Sequence, residues 1–234
     1  MMKTNGVLIG DKHTQNDWHM ILQSRTISMP TAKSNIVQIP CSDLFYDYTE
    51  TQDGEVHYEP RAITLEFAVI CNVAEWAPIY SEIANYLHGR QHKIIFDTDP
   101  SFYYLGRLGV DSTRSNVRVG KVTITGTLDP YKYEITSSLE DWLWDPFDFR
   151  TGIIREYKDI EVSGEYTLVI PGRRKKIVPD IYCSTAMTVT YLGVTHDLNA
   201  ELNQIGDIWL GEGDHELIFR GNGTVSVDYR GASL

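Results

Sequence analysis

The feature that most constrains this chain is a two-residue alternation of apolar side chains. In the stretch RAITLEFAVI, Ile63, Leu65, Phe67 and Val69 fall on one face, with Thr64 and Glu66 between them. Successive side chains of an extended backbone point to opposite faces, so this pattern describes a strand with one side on a core and the other toward water. NVRVGKVTITGTL repeats it with Val117, Val119, Val122 and Ile124, and Gly120 shifts the phase as a β-bulge does. GEYTLVIPG, MTVTYLGVTHDL, DIWLGEGDHELIFRG and GTVSVDYRG continue the alternation between Gly, Pro, Asn and Asp. A chain patterned this way is expected to be mainly β, its second half a sandwich of short strands.

One segment departs from that period. In NVAEWAPIYSEIANYLHGR, Ile79, Tyr80, Ile83 and Leu87 stand at helical offsets. Pro78 suits a first helical position, where its missing N–H is no loss, and Gly89 suits a left-handed cap. The spacing predicts one helix over Pro78–His88. An earlier start, capped by Asn72 with Glu75, would place Pro78 inside the helix at a cost in stability. The linking stretch DPYKYEITSSLEDWLWDPFDFRTG carries Pro130, Ser137–Ser138 and Pro146, the punctuation of a chain leaving one sheet for another. The expected boundary lies between Glu134 and Trp142. It divides the 234 residues into domains of 1–136 and 137–234.

Charge narrows the function. Against 21 Lys and Arg stand 32 Asp and Glu, a net charge of -11. Non-specific nucleic-acid binding needs a basic surface, as does attraction to an anionic membrane, so neither is expected as the main activity. The cysteines, Cys41, Cys71 and Cys183, are odd in number and widely spaced, which argues against disulfide framework and zinc knuckle alike. They are expected to be buried free thiols of a reducing compartment. MMKTNGVLIG lacks the long apolar segment of a secretory signal, and no stretch reaches bilayer-spanning length. The expectation is a protein made and folded in a cytoplasm.

Several constellations invite chemistry. KIIFDTDPSFYYLGRL sets Asp97 and Asp99 two apart, a spacing that shares a strand face and admits a carboxylate pair of the glycosidase kind. Pro100 directly after Asp99 favours turn chemistry instead, and no Gly-containing calcium loop or His pair accompanies them. DKHTQNDWH offers Asp11, His13, Asp17 and His19, metal-ligating types with no further cluster at ligand spacing, so a solvated loop is expected. PGRRKKIVP carries four consecutive cations, Arg173–Lys176, between two strand-like runs. It reads as a hairpin tip with solvated charges, available to an acidic neighbouring subunit. DWLWDPFDF concentrates Trp142, Trp144, Phe147 and Phe149, either packing between domains or a sugar-stacking platform. GEGDHE lacks a following helix and is no nucleotide loop; Asn222-Gly-Thr matches a glycosylation acceptor that a cytoplasmic chain does not use. No nucleophile elbow, zinc-protease motif or cofactor fingerprint occurs, so catalytic residue, metal and cofactor are all expected to be none.

Taken in order, these pieces resemble the distal tail (Dit) proteins of long-tailed bacteriophages. ISMPTAKSNIVQIPCSDLFYDYTE is similar to that family's opening; YEPRAITLEF, with Arg61, is similar to its next strand. IANYLHGRQHKIIFDTDPSFYYLGRL resembles its helix end, Asp-x-Asp-Pro turn and Tyr-x-Gly-Arg strand, and DPYKY the close of its first domain. DWLWDPFDFRTGII and GNGTVSVDYRGASL are similar to its second domain. Cys41 stands where relatives often carry Gly after Ile-Pro, which puts the turn geometry there in question. The resemblance implies an N-terminal β-sandwich with one α-helix and a C-terminal galectin-like β-sandwich. It implies a hexameric ring in the virion, at the distal end of the tail, joining the tail tube protein to the tail tip or baseplate. Receptor-binding and tail-associated lysin proteins would be held there, with DNA passing through unread. It also implies structural or interface roles for Arg61, Asp97, Asp99, Tyr104 and Arg107, and no enzyme. The alternatives are a carbohydrate-binding tail module and, behind it, a glycoside hydrolase.

Overall fold

The structure, a computed structural model, describes residues 5–70, 73–114, 119–141 and 152–234. Cys71, Asn72, Val117, Trp142, Trp144, Pro146, Phe147 and Phe149 lie outside the described residues. The protein is mainly β, as the alternation predicts. It divides into two compact units: Met1–Thr98 with Tyr104–Pro130 and Leu234, and Asp99–Tyr103 with Tyr131–Ser233.

The first unit contains β1 (Val7–Ile9), β2 (Lys12–His13), β3 (Met20–Ile27), β4 (Ile36–Gln38), β5 (Phe45–Asp47), β6 (Arg61–Ile70), α1 (Val73–Leu87), β7 (Gln91–Phe96), β9 (Val119–Leu128) and most of β8 (Asp99–Arg114). Its main sheet runs β2-β1-β7-β8-β9-β6-β3. Ile63, Leu65, Phe67 and Val69 are all buried along β6 and pack with Val122 and Ile124 of β9. Gly120 causes no bulge: its register with Val69 continues that of Phe67 with Val122, so the inward phase is Gly120–Val122–Ile124. The glycine is needed because the Trp76 ring lies where a Cβ would sit, 2.2 Å from the nearest ring carbon. The irregularity in this sheet falls instead between Leu22 and Ser24 on β3. Trp18, within the segment expected to be a solvated loop, is buried in this core and donates through Nε1 to Glu82 at 3.3 Å.

The helix begins earlier than the spacing predicts. It spans Val73–Leu87 with Pro78 inside. Burial of Ile83 and Leu87, with Ile79, Tyr80 and Trp76 packed against the same core, outweighs the lost N–H of one proline. Its end is where the sequence places it: Gly89 is left-handed at φ 74°.

The second unit holds β10 (Lys132–Glu134), β11 (Ile160–Gly172), β12 (Asp180–Cys183), β13 (Met187–Tyr191), β14 (Val194–Leu198), β15 (Glu201–Asn203), β16 (Gly213–Asp228) and β17 (Ala232–Ser233), with the first residues of β8. β16 organises it. It pairs with β11 from Gly213 to Val225, while its other edge meets β13 at 218–220 and β12 at 225–228. The change of partner occurs across Gly221-Asn222-Gly223. Both glycines take φ near 150°, open only to glycine, and a Cβ at Gly223 would lie 2.6 Å from Ser184 Oγ. Asn222 Oδ1 accepts the Gly164 N–H at 3.1 Å, so Asn222-Gly-Thr is built into a strand kink. Phe219, Val225, Val227, Ile181 and Val189 form the centre of this unit's core.

Candidate functional site

The two carboxylates at the β7–β8 turn have separate structural partners. Asp97 and Thr98 are the turn itself. Asp97 Oδ2 accepts the Gly6 N–H at 2.9 Å and Oδ1 lies 3.2 Å from His13 Nε2. His13 Nδ1 accepts from the amides of Gln15 and Asn16, which leaves the proton on Nε2 to be donated to Asp97. Asp99 pairs with Lys132 at 2.9 Å, and that ammonium lies 4.3 Å above the Phe102 ring. These contacts tie strands together.

The metal-ligating types at the N-terminus are likewise separated. Asp11 accepts from the Tyr86 hydroxyl, a bond that lowers the carboxyl pKa. Asp17 Oδ2 accepts the His13 N–H at 2.6 Å, and His19 is exposed. Among the described residues no group of three or more His, Cys, Asp or Glu is placed to hold a metal ion.

Arg61 is more unusual. It is only 4% exposed, at the start of β6's inward face. Its Nε donates to the Asp129 carbonyl at 3.4 Å, its guanidinium lies 5.2 Å over the Tyr104 ring, and Nη2 has no hydrogen-bond partner. Burial lowers its pKa, while a guanidinium remains charged even so. Arg107 is exposed and donates to the Gly89 carbonyl at the end of α1. Arg61 and Tyr104 are thus in contact, while Asp97, Asp99 and Arg107 each join a different contact.

The basic run is not a solvated hairpin tip. β11 and β12 do not pair with each other; each pairs with β16, so 173–176 connects two partners of one strand. Arg173 binds Glu134 at 2.7 Å and Arg174 binds Glu212 at 3.1 Å. Lys175 Nζ donates to the Tyr133 hydroxyl at 3.1 Å, and Lys176 Nζ sits 4.0 Å from the Trp209 ring centroid. All four cations have partners within the chain.

One of those partners centres a cluster that the sequence did not reveal. The Glu134 carboxylate accepts from Arg155 Nη1 at 2.5 Å, from Arg173 Nε and Nη2 at 2.7 Å, and from the Gly231 N–H at 3.0 Å. Arg155 also donates twice to the Pro171 carbonyl and stacks over Tyr229. A cavity of about 70 Å³ borders this cluster, room for water. Three side chains from distant parts of the sequence meet here, with no local motif to announce them.

The conspicuous surface is the excursion between β3 and β6. From Thr31 to Pro60 no residue is buried. Within it β4 and β5 form a two-stranded ribbon, Ile36 opposite Asp47, Val37 opposite Tyr46 and Gln38 opposite Phe45. Val37 and Tyr46 lie on one face and Ile36 and Phe45, with Gln38 and Asp47, on the other, so each face carries apolar side chains, and these four are exposed. Leu44 and Phe45 are 69% and 60% exposed. Cys41, at the tip of this arm, is exposed, contrary to the expectation of a buried thiol, and has φ 57°. The backbone keeps the left-handed turn even though a cysteine occupies it. Cys183 is buried, and burial pushes its thiol up to about 11. No helix among the described residues is long and apolar enough to cross a membrane.

These features define a mainly β chain whose polar clusters brace the fold and which carries an exposed apolar arm. No family profile and no curated protein matches the sequence. The fold does have a counterpart. The crystal structure of the SPP1 Dit protein (gp 19.1), described as a paradigm of the hub adsorption apparatus in phages infecting Gram-positive bacteria, is similar at a TM-score of 0.65. The likeness covers 98% of this chain and 99% of that one, at 14% identity. The chain therefore has the Dit fold.

Proposed function

We propose that this protein is a structural component of a phage tail, a distal tail protein whose residues 1–136 assemble into a hexameric ring between tail tube and tail tip. Residues 137–234, in this reading a galectin-like sandwich, project from the ring and anchor receptor-binding or tail-associated proteins. DNA passes through without sequence-specific contact. The protein is not an enzyme and works in the virion. The observation that carries the reading is the fold likeness to a phage hub protein along the whole of both chains, with neither domain left over.

The arm supports the ring. A two-stranded ribbon with no buried face is marginal by itself, and exposed apolar patches mark association sites. Ring closure needs two different patches on each copy, and an arm with its receiving surface elsewhere provides them. The basic run and the Asp97 and Asp99 carboxylates are engaged in holding strands, as a brace requires, which favours the structural reading over the hydrolase alternative. The rings named for the carbohydrate-binding alternative, Trp142, Trp144, Phe147 and Phe149, lie outside the described residues; of the rings elsewhere, that of Trp209 is covered by Lys176.

Negative-stain imaging of the purified protein, alone and mixed with the tail-tip protein encoded with it, tests the proposal. Six-fold rings are the expected result. A particle that stays solitary under both conditions overturns it.

A further inference from the structure

The arm is as acidic as it is apolar. Between residues 28 and 60 stand six carboxylates, Asp43, Asp47, Glu50, Asp53, Glu55 and Glu59, against one lysine, Lys33. Asp43, Asp47 and Glu50 are exposed and alternate with the exposed rings and Leu44 in the outer half. A surface that covers this arm must offer apolar or flat relief together with positive charge, since like charges facing each other across an interface oppose association.

The same unit carries such a surface. A groove of about 510 Å³ runs beside the end of α1, between Pro60 and the strands β8 and β9, and shares His88 with a second hollow containing Arg90 and Tyr80. Gly109 of β8 lines it, and glycine on a strand admits close approach of another backbone. Arg90 and Arg107 are exposed beside it. Among the described residues neither has a carboxylate partner: Arg107 donates to the Gly89 carbonyl, and Arg90 makes no ion pair. Asp129 is the one carboxylate lining the groove and is already engaged within the chain. The arm's own root is close by, since Pro60 lines the groove, yet no carboxylate of the arm reaches Arg90 or Arg107 of its own chain.

We propose that this groove receives the acidic arm of a second copy of the chain, with Arg90 and Arg107 as the charges that select Asp43 and Asp47. The inference rests on the ring-forming reading and adds to it the surface that accepts the arm. Ten residues of extended backbone from Thr31 to Cys41 span roughly 33 Å, enough to cross from one copy onto the next. Arm and groove are different patches of one surface, so each copy gives one and takes one, the heterologous arrangement that closes into a ring. Charge selection of this kind is screened with a length of about 8 Å at physiological ionic strength, so association weakens as salt rises.

The test is self-association of the full-length protein by sedimentation equilibrium at low and high salt. Arg90→Glu with Arg107→Glu, and separately Asp43→Lys with Asp47→Lys, should each weaken association at least tenfold. The protein carrying all four changes should regain it. Arg90→Glu alone leaves the Arg107 bond to Gly89 intact and should weaken association in the same direction, which separates the groove from the helix end. Circular dichroism melts unchanged from wild type establish that these surface variants fold. If the arm variants fail to associate but the arginine variants associate like wild type, the groove assignment is overturned and the ring reading stands. If the wild type does not associate alone, the same comparison is made with the tail-tip protein present, and failure to associate there as well overturns both.

Discussion

Replacing Glu134 by Gln should destabilise the second unit severely without touching its apolar core. Glu134 is 10% exposed and faces Arg155 and Arg173, whose side chains are 6% and 15% exposed. Its carboxylate takes four donors: three guanidinium N–H groups and the Gly231 amide. Gln keeps the shape and one oxygen, but its NH2 then points donor against donor, and two guanidinium charges lose their counter-ion. Removing one member of a buried ion cluster costs about 3–5 kcal/mol, because the remaining charge is left uncompensated. For a body of about 100 residues, each kcal/mol lowers Tm by roughly 4–8 °C, so a fall of about 12 °C or more is expected. Differential scanning calorimetry reads it directly. A second comparison sharpens the reasoning: replacing Glu134, Arg155 and Arg173 together by Met removes the charges along with their need for compensation and should cost less than Glu134→Gln. If Glu134→Gln shifts Tm by less than about 3 °C, or the triple replacement is the worse of the two, the cluster is not the brace described here.

Four further outcomes follow from local geometry. Leu192 stands exposed at φ 49° in the two-residue loop between β13 and β14, with Gly193 at φ 82°, so Leu192→Asn should raise stability by about 1 kcal/mol in urea titration. Pro78→Ala should stabilise the first unit by about 1–3 kcal/mol, since it restores the N–H that an interior helical position lacks; a loss of stability would refute this. Thiol labelling of the native protein should modify Cys41 quickly and Cys183 only on unfolding, because burial holds the Cys183 thiol protonated up to about 11. The corresponding stability term has a definite sign. The folded pKa lies above the ordinary value of 9, so the contribution is complete below pH 9 and is lost as pH rises from 9 toward 11. Burial raises the Tyr157, Tyr191 and Tyr229 hydroxyls as well, so alkaline titration of these phenols should coincide with unfolding.

What was legible in the sequence follows from which forces are local. The alternation of β6 is a property of consecutive residues, and the structure keeps it from Arg61 to Val69. The Gly89 cap depends on one backbone angle and was equally readable. The helix start was not, because whether Pro78 is tolerated depends on how much apolar surface Trp76, Ile79 and Ile83 bury against strands far away in sequence. Gly120 read as a bulge because sequence spacing cannot see a Trp76 ring arriving from another element. The four cations at 173–176 read as a solvated tip for the same reason: Glu134, Glu212, Tyr133 and Trp209 are all remote in sequence.

The arm shows the sharpest form of that limit. Nothing in IVQIPCSDLFYDY distinguishes a ribbon that is bare on both faces from a hairpin of the core, since both need β-branched and aromatic residues that pair across strands. Only its surroundings decide, and here they leave every residue from 31 to 60 at least partly open to water. An apolar ribbon left so in a free chain is an aggregation hazard unless something restrains it. In the proposed arm-to-groove pairing the restraint is the six carboxylates that share the segment: like-charge repulsion would keep identical arms apart, while the groove beside Arg90 and Arg107 would draw one arm in. The same residues thus discourage arm-to-arm pairing and direct arm-to-groove pairing, which is the selectivity a closed ring requires and an open aggregate lacks.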